Sequence, residues 1–268
     1  MKQPRAYRYR CYPTSAQVIM LARTFGCARY VYNWALQLRS DAYQDRQEHL
    51  DYQDTSAALT TLKHQPETVW LSEVSSVPLQ QALRHLDSAF RNFFAHRARY
   101  PHFKKKRGRQ AATYASSAFR FDAVARTLTL AKMEEPLAIR WSRPLPVGAV
   151  PTTVTVSQDT AGRYFVSFLV EEEIAPLPIV ESQVGIDLGL HDVVVLDTGE
   201  KVGNPHLFQQ DEQKLAKAQQ RLAKKQRGSR NREKARRKVA RIHARIADQR
   251  TDCLQKLSTR IIRENQTI

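Results

Sequence analysis

The stretch VGIDLGL, residues 184–190, decides how the second half of this chain is interpreted, because it places one carboxylate in an otherwise apolar run. A short apolar run of this kind predicts a buried β-strand. A buried, ionised Asp187 would need a cation, a metal ion or strong hydrogen-bond donors to offset its lost hydration. The alternative is that the strand ends at Ile186 and that Asp187 is an exposed turn residue beside Gly189. Under the first interpretation Asp187 is a candidate site residue.

More strands are predicted directly after this stretch. DVVVLDT (192–198) and EKV (200–202) have strand patterns and lie on either side of a turn at Gly199. With VGIDLG, they give three consecutive strands, which resemble the opening of a ribonuclease H-like sheet.

Two long basic helices are predicted to follow the strands. Helical patterns cover 211–226 and 232–264, and RGSRN (227–231) joins them. Apolar residues of the second helix keep nearly heptad spacing. They are Val239, Ile242, Ile246, Cys253, Leu257 and Ile261. The simplest prediction is an antiparallel helical arm over 210–264.

The first 174 residues predict a small barrel that is interrupted by helices. RAYRYRCYP (5–13) alternates as a basic-faced strand does, and Thr14 or Ser15 can then cap a helix. Helical patterns continue to about residue 99, and strand patterns return from Phe119.

The fold class expected from these patterns is α+β, with five divisions. They are a first barrel strand, a helical insert, the remaining barrel strands, an extended proline-containing linker, and an incomplete sheet with the helical arm. The divisions cover 1–13, 14–99, 100–174, 175–182 and 183–268.

The charge of the chain predicts a polyanionic partner. Its 268 residues include 43 Lys or Arg and 26 Asp or Glu, which gives a net charge of +17. Residues 201–268 contain 19 Lys or Arg and six Asp or Glu, and 19 − 6 = +13 is most of that total. Nucleic acid is the leading expectation, and a basic membrane-surface protein is the alternative.

Neither a membrane span nor an oxidised framework is expected. No apolar run approaches the roughly 18 to 20 residues of a spanning helix, and the first residues have no signal-peptide core. Three scattered cysteines supply no CxxC pair, so buried thiols in a reducing, cytoplasmic compartment are expected and a zinc site is not.

Several motifs, in order along nearly the whole chain, resemble the TnpB (OrfB-type) family of bacterial insertion sequences, which is related to type V CRISPR effector nucleases. The motifs are RYRCYPTSAQ, FGCARYVYNWAL, WLSEV, LQQALRHLDSAFRNFF, PHFKKKRG, TVTVSQDTAGRYFVS, VGIDLGLHDVVVL and the segment from GSRN to ENQTI. Their shared order makes the resemblance more specific than GIDLG alone, which also resembles the phosphate loop of actin-like ATPases.

This resemblance implies an RNA-guided DNA endonuclease or transposase accessory protein. The implied partners are a guide RNA from the transposon end and double-stranded target DNA. The implied architecture is a wedge-type barrel with a helical recognition lobe, followed by a RuvC-like domain that cuts DNA with divalent metal. Asp187 is then the first catalytic carboxylate and a Mg²⁺ ligand.

The same resemblance implies carboxylates that this sequence does not contain. The family supplies a glutamate on the strand after the arm, then a zinc ribbon and a final aspartate, whereas this sequence stops at ENQTI (264–268). Asp192 and Asp197 do not match family catalytic positions and are interpreted as surface or turn residues. Because a two-metal site needs several carboxylates, we expect that this polypeptide alone does not cut DNA.

Three interpretations of the activity stay open at this point. The chain could be the N-terminal part of a family nuclease, a nuclease-dead RNA-guided DNA binder that acts as a repressor, or a decayed transposon fragment without activity. RNA-dependent DNA binding without metal-dependent cleavage would distinguish the second from the others.

Two clusters of cations are candidate nucleic-acid-binding sites, and a solvated basic face is the alternative for both. They are Lys104, Lys105, Lys106, Arg107 and Arg109 after Phe103, and Lys224, Lys225, Arg227, Arg230 and Arg232 around the arm's turn.

Tyr52, Ser56 and Gln80 occupy motifs with which the family contacts its short target-adjacent duplex. Glutamine can form paired hydrogen bonds with adenine, although a glutamine on a helix is often merely exposed. Aromatic residues at apolar helix positions are interpreted as core rather than as base-stacking platforms. They are Tyr30, Tyr32, Trp34, Phe90, Phe93 and Phe94. The histidines are given no metal or general-base role.

Overall fold

The first strand, β1 (Lys2–Cys11), shows the alternation that its sequence predicts. In the structure, a computed structural model that describes residues 2–268, every second side chain from Tyr7 onward is buried. The strand was predicted over 1–13, of which Met1 lies outside the described residues.

Strand β1 lies inside a five-stranded antiparallel sheet that forms a half-barrel. The strand order is β2-β6-β7-β1-β5, and a separate hairpin pairs β3 with β4. These strands are β2 (Gln110–Ala115), β3 (Phe119–Asp122), β4 (Thr127–Leu130), β5 (Ile139–Arg140), β6 (Thr153–Gln158) and β7 (Tyr164–Glu173). Their inward side chains form one core, in which Tyr9 and Phe168 are fully buried and Trp141 packs against both rings.

Three α-helices are inserted between β1 and β2. They are α1 (Ser15–Arg46), α2 (Tyr52–His64) and α3 (Ser76–Phe94), and a 3-10 helix covers Pro66–Glu73. Thr14 caps α1 in a reciprocal capping box with Gln17, and Asp51 caps α2 in the same way with Asp54. The apolar faces of these helices form a second core, which includes Leu36, Leu71 and Leu83.

Residues 175–268 form a separate compact unit. Its antiparallel sheet has the order β10-β9-β8 and is followed by two helices. These elements are β8 (Ile186–Asp187), β9 (Asp192–Leu196), β10 (Lys201–Gly203), α4 (Leu207–Ala223) and α5 (Arg230–Glu264). A small core joins the sheet to α5 through Val194, Leu196 and Ile261.

The mixed composition of helices and sheets confirms the α+β class, while some element boundaries differ from those expected. The helical block ends at Phe94 rather than about residue 99, because the chain turns back at Ala95 and His96. Helix α4 begins at Leu207 rather than at 210. In the described part of the chain, no helix has the length and apolarity to cross a membrane.

Candidate nucleic-acid interface

Asp187 lies at the end of β8, and the prediction that it is buried there is wrong. Both residues of β8 are exposed. The strand is an edge strand that pairs only with β9, where Asp187 lies opposite Val195. The next apolar residues, Leu188 and Leu190, are 75% and 94% exposed. Asp187 is exposed, as the alternative interpretation expected, but it belongs to β8 and not to a turn after a strand that ends at Ile186.

The two neighbouring aspartates have structural contacts of their own. The Asp197 carboxylate accepts a hydrogen bond of 2.8 Å from the backbone N–H of Gly185. A side chain at Gly185 would lie 3.2 Å from that carboxylate, so glycine permits the close approach. Asp192 lies 3.6 Å from the imidazole of His191, which is itself exposed.

The acidic residues near Asp187 do not form a metal-binding set. A Mg²⁺ ion takes its ligands mainly from carboxylate and other oxygen atoms that converge on one point. Within the described residues, no group of three or more His, Cys, Asp or Glu side chains is placed to hold a metal. The residues present do not fit a two-metal centre by themselves, so Asp187 as a Mg²⁺ ligand stays a prediction.

The segment after α5 runs beside the chain that leads into β8. The backbone N–H of Gln266 donates to Ser182 over 2.8 Å, and that of Val184 donates to Thr267 over 3.0 Å. Gln183 and Thr267 form a parallel bridge. This segment is therefore aligned with the side of the sheet that carries Asp187.

The first cation cluster lies on a loop, residues 104–109, that we call the basic loop. The side chain of Asn33 on α1 fixes its start, since it donates to the carbonyl of Lys104 over 3.0 Å and accepts from the Lys104 N–H over 2.8 Å. The Gln110 amide donates to three carbonyls of the loop, at distances between 3.0 and 3.2 Å. The backbone of the loop is held in one conformation while its cations face solvent.

The cations of the basic loop do not have equal roles. The Lys104 ammonium lies 3.8 Å from the centre of the Tyr32 ring. Burial of this end of the side chain lowers the pKa of Lys104, although the residue as a whole is exposed. The Arg109 guanidinium reaches the Ser157 hydroxyl at 3.5 Å. The cations best placed to meet phosphates are therefore the exposed middle residues of the loop, Lys105, Lys106 and Arg107.

Two further basic side chains lie near the basic loop and were not predicted from the sequence. Arg29 of α1 donates to the Gln110 side chain over 2.7 Å. His85 of α3 has a pKa lowered by burial and by the charge of Lys104. Both line a cleft of about 100 Å³ that Lys104 and Arg109 also line. Arg29 and His85 come together because α1 packs against α3. No local sequence signal could have identified this proximity.

The second cation cluster surrounds the turn between α4 and α5, residues 224–232, which we call the arm turn. Gly228 adopts a positive φ of 85°, which favours glycine at this tight turn. The Arg232 guanidinium donates to the carbonyls of Leu222 and Lys225, over 3.2 and 2.7 Å. Arg232 thus satisfies backbone groups at the end of α4, which leaves less of it for phosphate. The other four cations of the cluster are exposed: Lys224, Lys225, Arg227 and Arg230.

The two helices of the arm are held together by a buried carboxylate. The Asp211 side chain, only 5% exposed, lies 3.1 Å from the Lys214 ammonium and 3.7 Å from the Arg245 guanidinium on α5. Buried Leu215 and Ala218 lie on the same helix.

The three residues predicted to contact the target-adjacent duplex lie on α2 and α3. Tyr52 and Ser56 are half-buried one turn apart on α2, and Gln80 is exposed on α3. Arg84, one turn after Gln80, places its guanidinium 4.6 Å from the centre of the Tyr52 ring. This contact connects the two helices on that side and adds a cation that the sequence analysis missed.

Comparison with known proteins identifies family matches at both ends of the chain. A family model described as "Probable transposase", of the OrfB type, matches residues 166–268. A second OrfB model, described as "Helix-turn-helix domain", matches residues 1–48, where the structure has β1 and the whole of the single long helix α1.

Two curated relatives match nearly all of this chain. "Putative RNA-guided DNA endonuclease" of Streptomyces pristinaespiralis is 57% identical over 265 residues, which are 98% of this chain and 65% of that protein. "Putative RNA-guided DNA endonuclease InsQ" of Escherichia coli K12 is 32% identical over 269 residues, which are 100% of this chain and 66% of that protein. The chain therefore spans just under two thirds of the length of these relatives.

One solved structure is similar in fold. The Cas12f1 chain in a cryo-EM structure with single-guide RNA and target DNA aligns with a TM-score of 0.53 over 97% of this chain and 78% of that chain. Sequence identity is 10%, so the match shows a shared fold alone.

Proposed function

This chain belongs to the OrfB (TnpB) family of insertion-sequence proteins, and from that premise we propose that it binds a guide RNA and double-stranded target DNA as part of an RNA-guided DNA endonuclease system. The names of its two curated relatives support the activity class. Its net charge of +17 supports polyanionic partners.

The observation that carries the proposal is the fixed conformation of the basic loop. Asn33 and Gln110 together make five hydrogen bonds with its backbone. A cation cluster held in place loses less conformational freedom when it meets a phosphate backbone than a mobile cluster would. A merely solvated basic face does not need this degree of backbone organisation.

We assign the two compact units to the two parts expected of such a protein. The half-barrel with its inserted helices is the wedge barrel and recognition lobe, and residues 183–268 are the N-terminal part of a RuvC-like domain with a basic arm. The insertion of α1–α3 between β1 and β2 supports the first assignment. The fold similarity over nearly the whole chain supports both.

Asp187 is proposed as the first catalytic carboxylate of that domain, with Mg²⁺ as the metal that the family uses. The segment around Thr267 runs parallel to the chain before β8, and this supports an extension of the sheet on the side of Asp187. Because the described residues place no set of carboxylates with it, no hydrolytic step is assigned to this chain. The activity proposed for this chain is nucleic-acid binding without cleavage.

The test is to express the chain together with its flanking insertion-sequence DNA, purify it at moderate salt and sequence the RNA that co-purifies. One enriched noncoding RNA from the transposon end is expected. The purified complex is then incubated with DNA complementary to the guide, with Mg²⁺ or with a chelator, and analysed for binding and for cut products. In the Mg²⁺ sample and in the chelator sample alike, we expect RNA-dependent binding and intact DNA.

Two results would contradict the proposal in different ways. A mixture of cellular RNAs that is lost as the salt concentration rises would leave only general phosphate attraction. Cut DNA in the Mg²⁺ sample would refute the assignment of binding without cleavage.

A further inference from the structure

Aromatic side chains are exposed where α3 ends and the following loop begins. Phe93, Phe94 and Tyr100 form a cluster that we call the aromatic platform. Phe94 is 59% exposed and Tyr100 is 42% exposed. The Phe93 ring centre lies 5.3 Å from those of both other rings. The sequence analysis interpreted Phe93 and Phe94 as core residues, and for Phe94 the structure contradicts this because α3 ends at that residue.

Buried residues beneath the platform hold its rings in place. Phe90 is buried, and its ring centre lies 6.2 Å from that of Phe94 and 5.6 Å from that of Tyr100. The Tyr100 hydroxyl lies 2.8 Å from the Ser40 hydroxyl on α1. The exposed rings do not share a plane, since the Phe93 ring makes an angle of 58° with that of Phe94 and 85° with that of Tyr100. The His49 ring lies edge-on to Phe94 at 6.4 Å. An unpaired base therefore stacks on the exposed part of a single ring, Phe94 or Tyr100, which the neighbouring rings already hold in place.

The segment of the chain that carries the platform is rich in cations. Residues 91–109 contain eight Lys or Arg and no Asp or Glu. The nearest acidic side chain of α3, Asp87, is already paired with Arg39 at 3.4 Å and with Arg91 at 2.9 Å. Exposed aromatic rings beside a run of cations match the two chemical parts of a single-stranded nucleic acid, its base faces and its phosphates. In a duplex the base faces are already stacked and cannot reach the rings.

The hydrogen bonds of Tyr100 indicate which nucleic acid fits. The Ser40 hydroxyl has one proton, which it donates to the carbonyl of Leu36 over 2.8 Å. With Ser40 donating to Leu36, Tyr100 is the donor in its bond with Ser40, and its exposed phenol oxygen can accept from a donor outside the protein. A ribose 2′-hydroxyl is such a donor, and deoxyribose has none.

We propose that the aromatic platform stacks unpaired bases of RNA, with the phosphates of that segment lying along residues 91–109. This inference rests on the proposed nucleic-acid-binding function and specifies one single-stranded RNA contact within it. Tyr100 contributes both a stacking ring and the acceptor that favours ribose.

The test uses the full chain and fluorescence anisotropy with labelled uridine oligonucleotides, deoxyuridine oligonucleotides and an RNA duplex, each of about 12 nucleotides or base pairs. Phe94→Leu removes the π-face but keeps an apolar side chain. It is expected to weaken binding of the uridine oligonucleotide roughly 5- to 100-fold and to change duplex binding less than about two-fold. Phe94→Tyr keeps the stacking surface and is expected to bind as the wild type does.

Two further variants make the comparison specific. Tyr30→Leu removes an exposed aromatic ring that lies elsewhere, against Trp70, and should leave uridine binding unchanged. Tyr100→Phe keeps the ring but removes the acceptor. It is expected to reduce the preference for uridine over deoxyuridine by about 2- to 10-fold.

Circular dichroism and thermal unfolding establish separately that each variant is folded. The platform is refuted if Phe94→Leu leaves uridine binding unchanged or weakens duplex binding equally. Equal binding of the ribose and deoxyribose oligonucleotides by the wild type would overturn the assignment to RNA. If the wild-type protein co-purifies with no transposon-end RNA, the proposed function is contradicted. The oligonucleotide measurements would still test the aromatic platform.

Discussion

Asn33 is an uncharged residue that controls the presentation of several cations, since its side chain makes two hydrogen bonds with the Lys104 backbone. We expect Asn33→Ala to weaken RNA and DNA binding roughly 3- to 10-fold although the net charge is unchanged, because the basic loop loses its fixed start. Anisotropy titrations at constant salt measure the effect. Gln37→Ala, one turn later on α1, removes a side chain that donates to the half-buried Asp41 over 2.6 Å, and it is the matched control. An equal loss in both variants would contradict this role for Asn33.

The cysteines differ in burial, and their reactivity should follow it. Burial raises the pKa of the Cys11 thiol to about 12 and that of the Cys27 thiol to about 11. Half-buried Cys253 is therefore expected to be alkylated first at about pH 8, as mass spectrometry of the native protein can show. A Cys253→Ser variant should lose this fast product, and fast labelling of Cys11 would contradict the prediction.

The raised pKa values of Cys11 and Cys27 predict that the free energy of unfolding decreases as the pH rises above about 9. A thiol whose folded pKa lies above its ordinary value of 9.0 stays protonated while the unfolded chain releases its proton. The stabilising contribution is complete below about pH 9 and is lost as the pH rises toward the folded values.

At the scale of elements, the buried Asp211 holds α4 against α5. We expect Asp211→Ala to destabilise this helical pair by about 1 kcal/mol, because Lys214 and Arg245 lose their carboxylate but stay hydrated. Hydrogen exchange of α4 and α5 amides measures the change locally. Asp252→Ala removes an exposed pair with Lys256 on α5 and should change the exchange little. Equal changes in hydrogen exchange for Asp211→Ala and Asp252→Ala would show that the buried carboxylate stabilises the helical pair no more than the exposed one.

At the scale of the whole molecule, the excess of cations should make binding strongly dependent on salt. We expect the joint substitution of Lys105, Lys106 and Arg107 by Ala to reduce the slope of log affinity against log salt by about 0.9 for each phosphate of duplex DNA that the variant no longer neutralises. Titrations at several salt concentrations give the slope. A control that replaces Lys2, Lys63 and Lys132 removes the same charge elsewhere. The same reduction in both proteins would indicate that net charge, and not the basic loop, determines binding.

Local elements and the family resemblance could be identified from the sequence without tertiary contacts. The alternation in β1, the capping signal at Thr14 and the apolar spacing of α5 depend on residues a few positions apart, so they can be identified without tertiary contacts. The excess of Lys and Arg, which predicts a polyanionic partner, is likewise a property of composition. The order of motifs along the chain was enough to indicate the OrfB family.

Which side chains are exposed to a ligand depends on packing that the sequence patterns do not specify. Asp187 is exposed although its strand pairs with β9, and Arg232 is engaged because its guanidinium reaches the end of α4. Phe94 is exposed because α3 ends there, although its spacing matches that of the buried Phe90. Asn33 and Lys104 meet across 71 positions of sequence. Periodicity specifies the face of an element, whereas burial and partners depend on what packs against that face, and distant residues supply it.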